Sequence, residues 1–258
     1  MKKMPKYYIK TIILASDVLN CLMKTKKAIT LTEISELINL YPSTVYRILE
    51  TLKYLKYVYK LPDSDKYQLG HKVLELGRAK IDQDDLAKEV MPFLNEILKK
   101  YDENVYLAKL FDGMVFYIAK LEADRAVRIN THLGKRAYFN CTALGKILVS
   151  FLPKNEREEI YKSIGFHKCT RNSITNKSKF EEEVAKVKKQ GFSVDNEEYE
   201  EDIQCIAVPI RNYLGKVVTA LSISGPSYRF DVERESHQMK TDLINWGIKI
   251  SKELGYKT

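Results

Sequence analysis

Polar and basic side chains recur on one side of a short segment near the N-terminus. Ser43, Tyr46, Arg47 and Glu50 follow one another at helical spacing, and Lys53 stands three residues further on. This spacing places them on one face of an α-helix. A guanidinium can contact guanine through two hydrogen bonds, a serine hydroxyl can contact a phosphate or a base, and tyrosine offers a hydroxyl and a flat ring. The set therefore suits contact with duplex nucleic acid.

A second basic feature follows a few residues later. Two segments typical of β-strands, residues 57–61 and 66–70, flank the turn sequence Pro-Asp-Ser-Asp, which predicts a hairpin. Lys60 and Lys66 flank its tip, where they can approach phosphates. We expect contacts with duplex DNA from this helix and hairpin, through Ser43, Thr44, Tyr46, Arg47, Glu50, Lys53, Lys60 and Lys66.

Two helices are predicted before this segment. The first covers residues 8–24 and has one apolar stripe formed by Ile12, Ala15, Leu19 and Leu22. Thr30 and Glu33 have the spacing of a capping box, which predicts that a second, short helix begins there. Asn39 suits the end of that helix, because asparagine tolerates the left-handed backbone conformation.

A third helix is predicted over residues 42–55, because Pro42 fits a first helical turn and cannot continue a preceding helix. Its inward side chains are Val45, Ile48, Leu49 and Leu52. Two short helices joined by a tight turn, then a basic hairpin, are the order of a winged helix-turn-helix. The sequence contains no RNP-like aromatic run and no GXXG loop, which favours DNA over RNA.

The distribution of charge supports this interpretation. The chain has 258 residues and a net charge of +9, of which +8 falls in residues 1–80. A basic segment next to a nearly neutral one is typical of a polyanion-binding domain attached to a domain with another role. Four scattered cysteines without a CxxC pair indicate free thiols in a reducing compartment, and no signal peptide or membrane span is evident. We therefore expect a cytoplasmic protein.

The remainder predicts an α+β domain built around an antiparallel sheet. Helices are expected over residues 71–80 and 85–101, with a kink or a new helix start at Pro92, and over residues 142–151, 178–190 and 231–254. Strands are expected over residues 104–110 and 115–121, joined by an Asp112-Gly113 turn, and near residues 126–131, 191–196, 204–210 and 216–224. We place the DNA-binding domain at residues 1–70, a helical linker at 71–90 and the second domain at 91–258. A homodimer or homotetramer is expected, because such DNA readers need two half-sites.

Six short motifs, in order along the chain, resemble the IclR family of bacterial and archaeal transcriptional regulators. They are LYPSTVYR from Leu40, YQLG from Tyr67, TALGK from Thr142, GFSVDNEE from Gly191, CIAVPI from Cys205 and ALSISGP from Ala220. The resemblance covers essentially the whole chain. It implies a winged helix-turn-helix followed by a GAF-like effector-binding domain, in a regulator whose operator binding responds to a small molecule.

The resemblance also implies where the effector binds. By position, the pocket residues are Ala143, Leu144, Asp195, Cys205, Ser222 and Ser224. A helix N-terminus and two serines on one side of a strand suit a carboxylate or a phosphate. Asp195 could accept a hydrogen bond from a ligand hydroxyl, so a hydroxy acid or a sugar acid is the expected effector; the alternative is a more apolar pocket lined by Leu144 and Cys141. A further alternative is that Ser222 and Ser224 are polar residues at a strand edge and Asp195 is a surface acid. Asn140, Cys141 and Asp202 depart from residues frequent in the family (His, Ala and Gly), so no individual ligand is transferred.

Two other functions remain as alternatives. An enzyme is disfavoured because the sequence lacks GxSxG, HExxH, GxGxxG and Walker motifs, and the apolar neighbours of Cys205 indicate an unactivated thiol. His167, Cys169 and Cys205 could share a metal ion, but two near-adjacent ligands are a weak motif, so we expect neither a metal nor a cofactor. A ligand-independent architectural DNA-binding protein is the remaining alternative.

Overall fold

The computed structural model describes residues 7–82, 85–125, 129, 131–230 and 236–257. The chain forms two compact units, residues 1–84 and 85–258. The predicted linker, residues 71–90, contains one helix of the first unit and the start of a helix of the second. Its role as a linker stays a prediction.

The N-terminal unit is a helix-turn-helix followed by a hairpin. Its elements are α1 (Lys10–Thr25), β1 (Ile29–Thr30), α2 (Leu31–Ile38), α3 (Pro42–Tyr54), β2 (Val58–Lys60), β3 (Lys66–Leu69) and α4 (His71–Asp82). The capping box at Thr30 and Glu33 is present, with each residue satisfying a backbone N–H of the other. Asn39 has the left-handed conformation, at φ 51°. These local features were predicted correctly because each depends on residues only three or four positions apart.

The packing of α1 agrees with three of the four predicted stripe residues, since Leu22 is buried and Ala15 and Leu19 pack against the core. The buried residues of α1 are Val18, Cys21 and Leu22, whereas Ile12 is 64% exposed. Val18 and Cys21 extend the predicted stripe on one side, and Ile12 at its N-terminal end does not reach the core. β1 was not predicted; it pairs with β3, so that three strands lie in the order β1-β3-β2 among the described residues.

The C-terminal unit contains an antiparallel sheet with helices on both faces. Its elements are α5 (Asp85–Tyr101), β4 (Asn104–Phe111), β5 (Met114–Leu121), β6 (Arg136–Ala137), α6 (Ala143–Ser150), α7 (Lys154–Ile164), α8 (Lys177–Gln190), β7 (Ser193–Asn196), β8 (Ile203–Arg211), β9 (Val217–Pro226) and α9 (Ser236–Glu253). The described strands lie in the order β6-β5-β4-β9-β8-β7. The predicted fold class, α+β with an antiparallel sheet, is confirmed.

The two faces of this sheet have different roles. One face is apolar and packs against α5 and α9, through residues such as Leu94, Leu107, Leu221 and Leu243. The other face packs against α6 and combines apolar residues at one end with polar residues at the other. The central strands β8 and β9 are therefore covered on both sides.

Several local predictions can be compared with this unit. Asp112 and Gly113 both have positive φ, at 49° and 73°, as a tight two-residue hairpin requires. The helix continues through Pro92, so no new helix begins there; a buried stripe with Val90 and Leu94 holds both halves against the sheet. α7 and β6 were not predicted. The predicted strand near 126–131 falls largely outside the described residues, as does the predicted start of the last helix at 231–235.

No described helix is long and apolar enough to cross a membrane.

Candidate functional site

The exposed face of α3 is the one predicted. Val45, Ile48, Leu49 and Leu52 are buried in the core of the N-terminal unit. The eight predicted contact residues all lie at the surface: Ser43, Tyr46, Arg47, Lys53 and Lys66 are exposed, and Thr44, Glu50 and Lys60 are partly buried. The helix therefore directs Arg47 and Tyr46 to solvent while its opposite side anchors it.

A short turn sets the position of α3 relative to α2. The backbone N–H of Asn39 donates to the carbonyls of Ser35 and Glu36, and that of Leu40 donates to Ser35. Pro42 then occupies the first turn of α3, where its missing N–H costs no helical hydrogen bond. The tight connection holds the two helices in the arrangement typical of a helix-turn-helix.

Two of the basic side chains form ion pairs with acidic neighbours. Lys53 Nζ lies 2.6 Å from Glu50 Oε2, and Lys60 Nζ lies 3.0 Å from Asp65 Oδ1. Both pairs are accessible to solvent and contribute little stability. A phosphate could therefore compete with Glu50 and Asp65 for these ammonium groups at small cost.

All six residues predicted for the pocket line one cavity in the C-terminal unit. Its described walls are Tyr106, Tyr117, Ile129, Thr131, Thr142, Ala143, Leu144, Asp195, Tyr199, Glu200, Ile203, Cys205, Ser222 and Ser224. Ala143 and Leu144 open α6, and the other four predicted residues come from β7, β8 and β9. The strand register explains the meeting, because Asp195 lies opposite Cys205 and Cys205 lies opposite Ser224.

The alternative interpretation of these polar residues is wrong. Asp195, Ser222 and Ser224 are all buried, and Ser222 and Ser224 lie on a central strand with β4 on one side and β8 on the other. They are therefore neither surface acids nor strand-edge residues. The tyrosines of the cavity, Tyr106, Tyr117 and Tyr199, were missed because only the tertiary structure brings them to the same place as α6.

The first turn of α6 faces the cavity. The hydroxyl of Thr142 caps the helix by accepting from the backbone N–H of Gly145. A side chain at position 145 would lie 2.4 Å from the carbonyl oxygen of Phe139, so glycine permits this close approach. The cap leaves the N–H groups of Ala143 and Leu144 at the positive end of the helix dipole.

Burial perturbs the titratable groups of the cavity. Burial raises the pKa of the Asp195 carboxyl to about 7; the charge of Glu198 adds to the rise, whereas the backbone N–H of Glu198 and the ammonium of Lys146 oppose it. Asp195 Oδ1 accepts hydrogen bonds from the N–H groups of Glu198 (2.7 Å) and Tyr199 (3.4 Å). Burial also raises the pKa of the Cys205 thiol well above its ordinary value, so this thiol is protonated and unactivated.

A buried ion pair supports the cavity wall and was not predicted. The side chain of Lys146 is 2% exposed, and its Nζ lies 2.6 Å from Glu198 Oε1 and donates to the Val194 carbonyl at 2.7 Å. This pair joins α6 to the segment after β7 that carries Tyr199 and Glu200 into the cavity wall. Both residues lie in motifs noted in the sequence, but their separation of 52 positions gave no sign of contact.

Lys146→Met is expected to destabilise the protein by about 3–5 kcal/mol, because it leaves the Glu198 carboxylate buried without a partner. Urea denaturation of the purified protein, followed at the unfolding transition of the C-terminal unit, measures the change in the free energy of unfolding. The double variant Lys146→Met/Glu198→Leu is the matched control and should recover most of the loss, since both charges are then absent. Equal instability of the single and double variants would show that packing, rather than the unpaired charge, is responsible.

Among the described residues, no three His, Cys, Asp or Glu side chains are arranged to hold a metal ion. His167 and Cys205 belong to different surroundings: His167 stacks on Tyr138 with ring centroids 3.6 Å apart, whereas Cys205 lies in the cavity wall. The shared metal site considered for His167, Cys169 and Cys205 therefore has no geometric support in this part of the chain.

Comparison with known families assigns both units. The family described as "IclR helix-turn-helix domain" matches residues 15–62, and "Bacterial transcriptional regulator IclR C-terminal" matches residues 78–252. The chain belongs to the IclR family. IclR-type proteins are DNA-binding transcriptional regulators, and the chain is a regulator of this kind rather than an enzyme.

Individual relatives agree with the family assignment. The HTH-type transcriptional regulator KdgR of Escherichia coli (strain K12) is 33% identical over 90% of this chain and 88% of its own length. XynR of the same organism is 27% identical over 96% of this chain and 98% of its own. The crystal structure of the Thermotoga maritima IclR protein has a TM-score of 0.77 at 29% identity, covering 96% of this chain and all of that one.

For an IclR-type regulator, Lys66→Ala is expected to weaken binding to all duplex sequences about equally, because an exposed lysine at the hairpin tip suits phosphate contact. Loss of one phosphate contact lowers the slope of log affinity against log salt by about 1. Fluorescence anisotropy from 50 to 300 mM salt, on specific and random duplexes, measures it. The matched control is Lys162→Ala, an exposed lysine of the C-terminal unit; an unchanged slope for Lys66→Ala would remove the hairpin from the interface.

Proposed function

We propose that operator binding by this IclR-family regulator is modulated by a small carboxylate-bearing metabolite that occupies the cavity at the start of α6. One observation carries the proposal: Ser222, 1% exposed and in the cavity wall, is a buried hydroxyl that has no hydrogen-bond partner among the described residues. An unsatisfied buried hydroxyl costs about 1–3 kcal/mol. A polar ligand in the cavity would remove that cost.

The positive end of α6 favours an anionic group in the cavity. Ala143 and Leu144 stand in the first turn, where free N–H groups and the helix dipole attract a carboxylate. The described cavity walls contain no Lys, Arg or His side chain. The helix end and the hydroxyls of Ser222 and Ser224 are therefore the groups that would hold a carboxylate.

Asp195 favours a ligand that also bears a hydroxyl. It would repel a carboxylate nearby, so the ligand's carboxylate belongs at the α6 end and its hydroxyl at Asp195. The cavity has a volume of about 30 Å³, and one water molecule needs about 10–15 Å³ on the same measure. This is room for about two or three water molecules, so even a short hydroxy acid requires the walls to separate, and a sugar acid requires a larger separation.

Assembly into a homodimer or homotetramer belongs to the same proposal. In a single chain α4 exposes Leu74 and Leu76, at 74% and 49%, and burial of these side chains against a second copy would stabilise a dimer. Pairing also gives the two recognition helices that a palindromic site needs. An effector then changes DNA affinity if it binds one arrangement of the assembly more tightly than the other. A monomer in sedimentation at micromolar concentration that still binds DNA tightly would contradict this.

The proposed site is tested by removing its two polar groups. Asp195→Ala/Ser222→Ala is expected to bind operator DNA as wild type does without effector, and to lose the response to it. Gel-shift titrations with glycolate, lactate, glycerate and gluconate measure this, on an operator selected from random duplexes with wild-type protein. Ser150→Ala is the matched control, because Ser150 is also a buried, unpartnered serine among the described residues but lies outside the cavity wall.

Two results would contradict the proposal. A double variant that responds to the acids as wild type does would place the effector site elsewhere. A wild-type protein that shows neither a change in DNA binding nor a rise in thermal stability with any of these acids would favour the architectural DNA-binding protein, because a ligand that prefers the folded state raises apparent stability.

A further inference from the structure

Two of the four cysteines meet where a loop folds over the start of α6. The loop is residues 165–176, between α7 and α8. The Asn140 side chain fastens it: Nδ2 donates to the carbonyls of His167 (2.7 Å) and Ile174 (2.9 Å), and Oδ1 accepts from the N–H of His167 (3.3 Å). The loop is therefore held against the residues immediately before α6.

Cys141 and Cys169 are brought together by this loop. The Cys141 thiol donates to the His167 carbonyl at 3.3 Å, and Cys169 stands two residues after His167 in the same loop, near enough for its side chain to raise the pKa of the Cys141 thiol. Cys169 is held by its own N–H, which donates to Ser173 Oγ at 2.9 Å. Cys141 is fully buried, whereas Cys169 is exposed. A dissolved oxidant can thus reach one thiol of the pair, and the other stands directly behind it.

We propose that Cys141 and Cys169 form a reversible disulfide when the protein meets a peroxide. The Cys169 sulfur attacks one peroxide oxygen and breaks the O–O bond, which yields a sulfenic acid and, after proton transfer, water. The Cys141 sulfur then attacks the sulfenic sulfur, forms the S–S bond and releases a second water. Two thiols are oxidised by two electrons and the peroxide is reduced to two waters; a dithiol reverses the reaction by thiol–disulfide exchange.

The surroundings assign the order of the two steps. Burial raises the pKa of the Cys141 thiol to about 12, although Ser173 and the N–H of Cys169 favour its thiolate. Cys141 is therefore protonated at neutral pH and enclosed, which suits the thiol that closes the disulfide rather than the one that meets the oxidant.

The disulfide would act on the effector cavity, a consequence that rests on the proposed function. Cys141 precedes Thr142, which caps α6 and lines the cavity. The same loop is tied to the opposite wall, since Thr170 Oγ1 donates to the Glu197 carbonyl (2.6 Å) and Ser173 Oγ to that of Glu198 (2.7 Å). A covalent bond between loop and helix start would hold these walls together, so the oxidised protein should bind acids that require a wider cavity more weakly.

The disulfide itself is tested without any effector. Purified full-length protein is treated with hydrogen peroxide, alkylated and digested with trypsin, and the peptides are mapped by mass spectrometry before and after dithiothreitol. We expect a loss of two of four thiols and a dithiothreitol-sensitive cross-link between Cys141 and Cys169. Cys169→Ser should retain its other thiols, and Cys205→Ala, the control, should form the same cross-link.

The outcomes separate the disulfide from its effect on the cavity. Oxidation of Cys169 to sulfinic or sulfonic acid without a cross-link to Cys141 in wild type would overturn the proposal, as would a cross-link to Cys205 or Cys21 instead. If the disulfide is mapped but the oxidised and reduced proteins bind the acids equally well, the redox pair is established and its proposed effect on the cavity is rejected. Failure of the effector proposal leaves the peptide map unaffected.

Discussion

Arg47→Ala is expected to lower affinity for the specific operator by about 1–3 kcal/mol per half-site, roughly 5- to 150-fold, with the protein still folded. Arg47 is exposed on α3 between the buried residues Val45 and Ile48, so its side chain adds nothing to the core. A guanidinium in the major groove discriminates bases, whereas random duplex is bound mainly through phosphates. Affinity for random duplex should therefore change much less than affinity for the operator.

Footprinting and anisotropy on an operator selected with wild-type protein measure this change. Lys162→Ala, which removes one exposed positive charge from the other unit, is the matched control and should bind as wild type does. An unchanged footprint for Arg47→Ala would show that α3, or this face of it, does not contact the bases. Equal losses on operator and random duplex would instead assign Arg47 to a phosphate.

Binding of a carboxylate effector is expected to weaken as pH rises above 7, by at most about tenfold per pH unit, because the complex favours the protonated form of Asp195. Burial, together with the charge of Glu198, raises the pKa of Asp195 to about 7. A bound carboxylate raises this pKa further, since like charges disfavour a second ionised group. Below pH 7 Asp195 is already protonated, and affinity should be nearly constant down to the pKa of the ligand itself.

Calorimetry from pH 5.5 to 9, in buffers with different heats of ionisation, measures both affinity and proton uptake. Asp195→Asn is the matched control and should remove the slope above pH 7. Other titratable groups close to Asp195 are Glu198, Lys146, Cys205, Tyr199 and Glu200, so a slope that persists in Asp195→Asn would assign the proton to one of these.

The pH dependence of the stability of the ligand-free protein tests whether folding raises the pKa of Asp195. A carboxyl whose pKa is raised by folding binds more protons in the folded state, so its contribution to stability is complete below its unfolded pKa of about 3.9 and is lost as pH rises through about 7. Relative to wild type, Asp195→Asn should therefore gain stability as pH rises from about 4 to about 7, with no further gain above pH 7. A relative loss over that range would show that Asp195 is ionised in the folded protein.

Local features of this protein were determined by its sequence alone. The capping box at Thr30 and Glu33, the left-handed Asn39 and the helix start at Pro42 each depend on residues within one helical turn. The Asp112-Gly113 turn likewise has its backbone requirement within two residues. These local features suffice to predict the helix-turn-helix and the β4–β5 hairpin. Six of the residues that line the cavity were predicted in a different way, from motifs whose order along the chain resembles that of a family.

Tertiary structure decided everything that depends on partners distant in the chain. The limits of the packed face of α1, which includes Val18 and excludes Ile12, are set by the other helices that cover it. The pairing of Lys146 with Glu198 follows from the close packing of α6 on the sheet. The approach of Cys169 to Cys141 depends on a loop fastened by Asn140. Charge pairing and burial depend on which surfaces meet, and local propensity carries no information about surfaces separated by tens of residues.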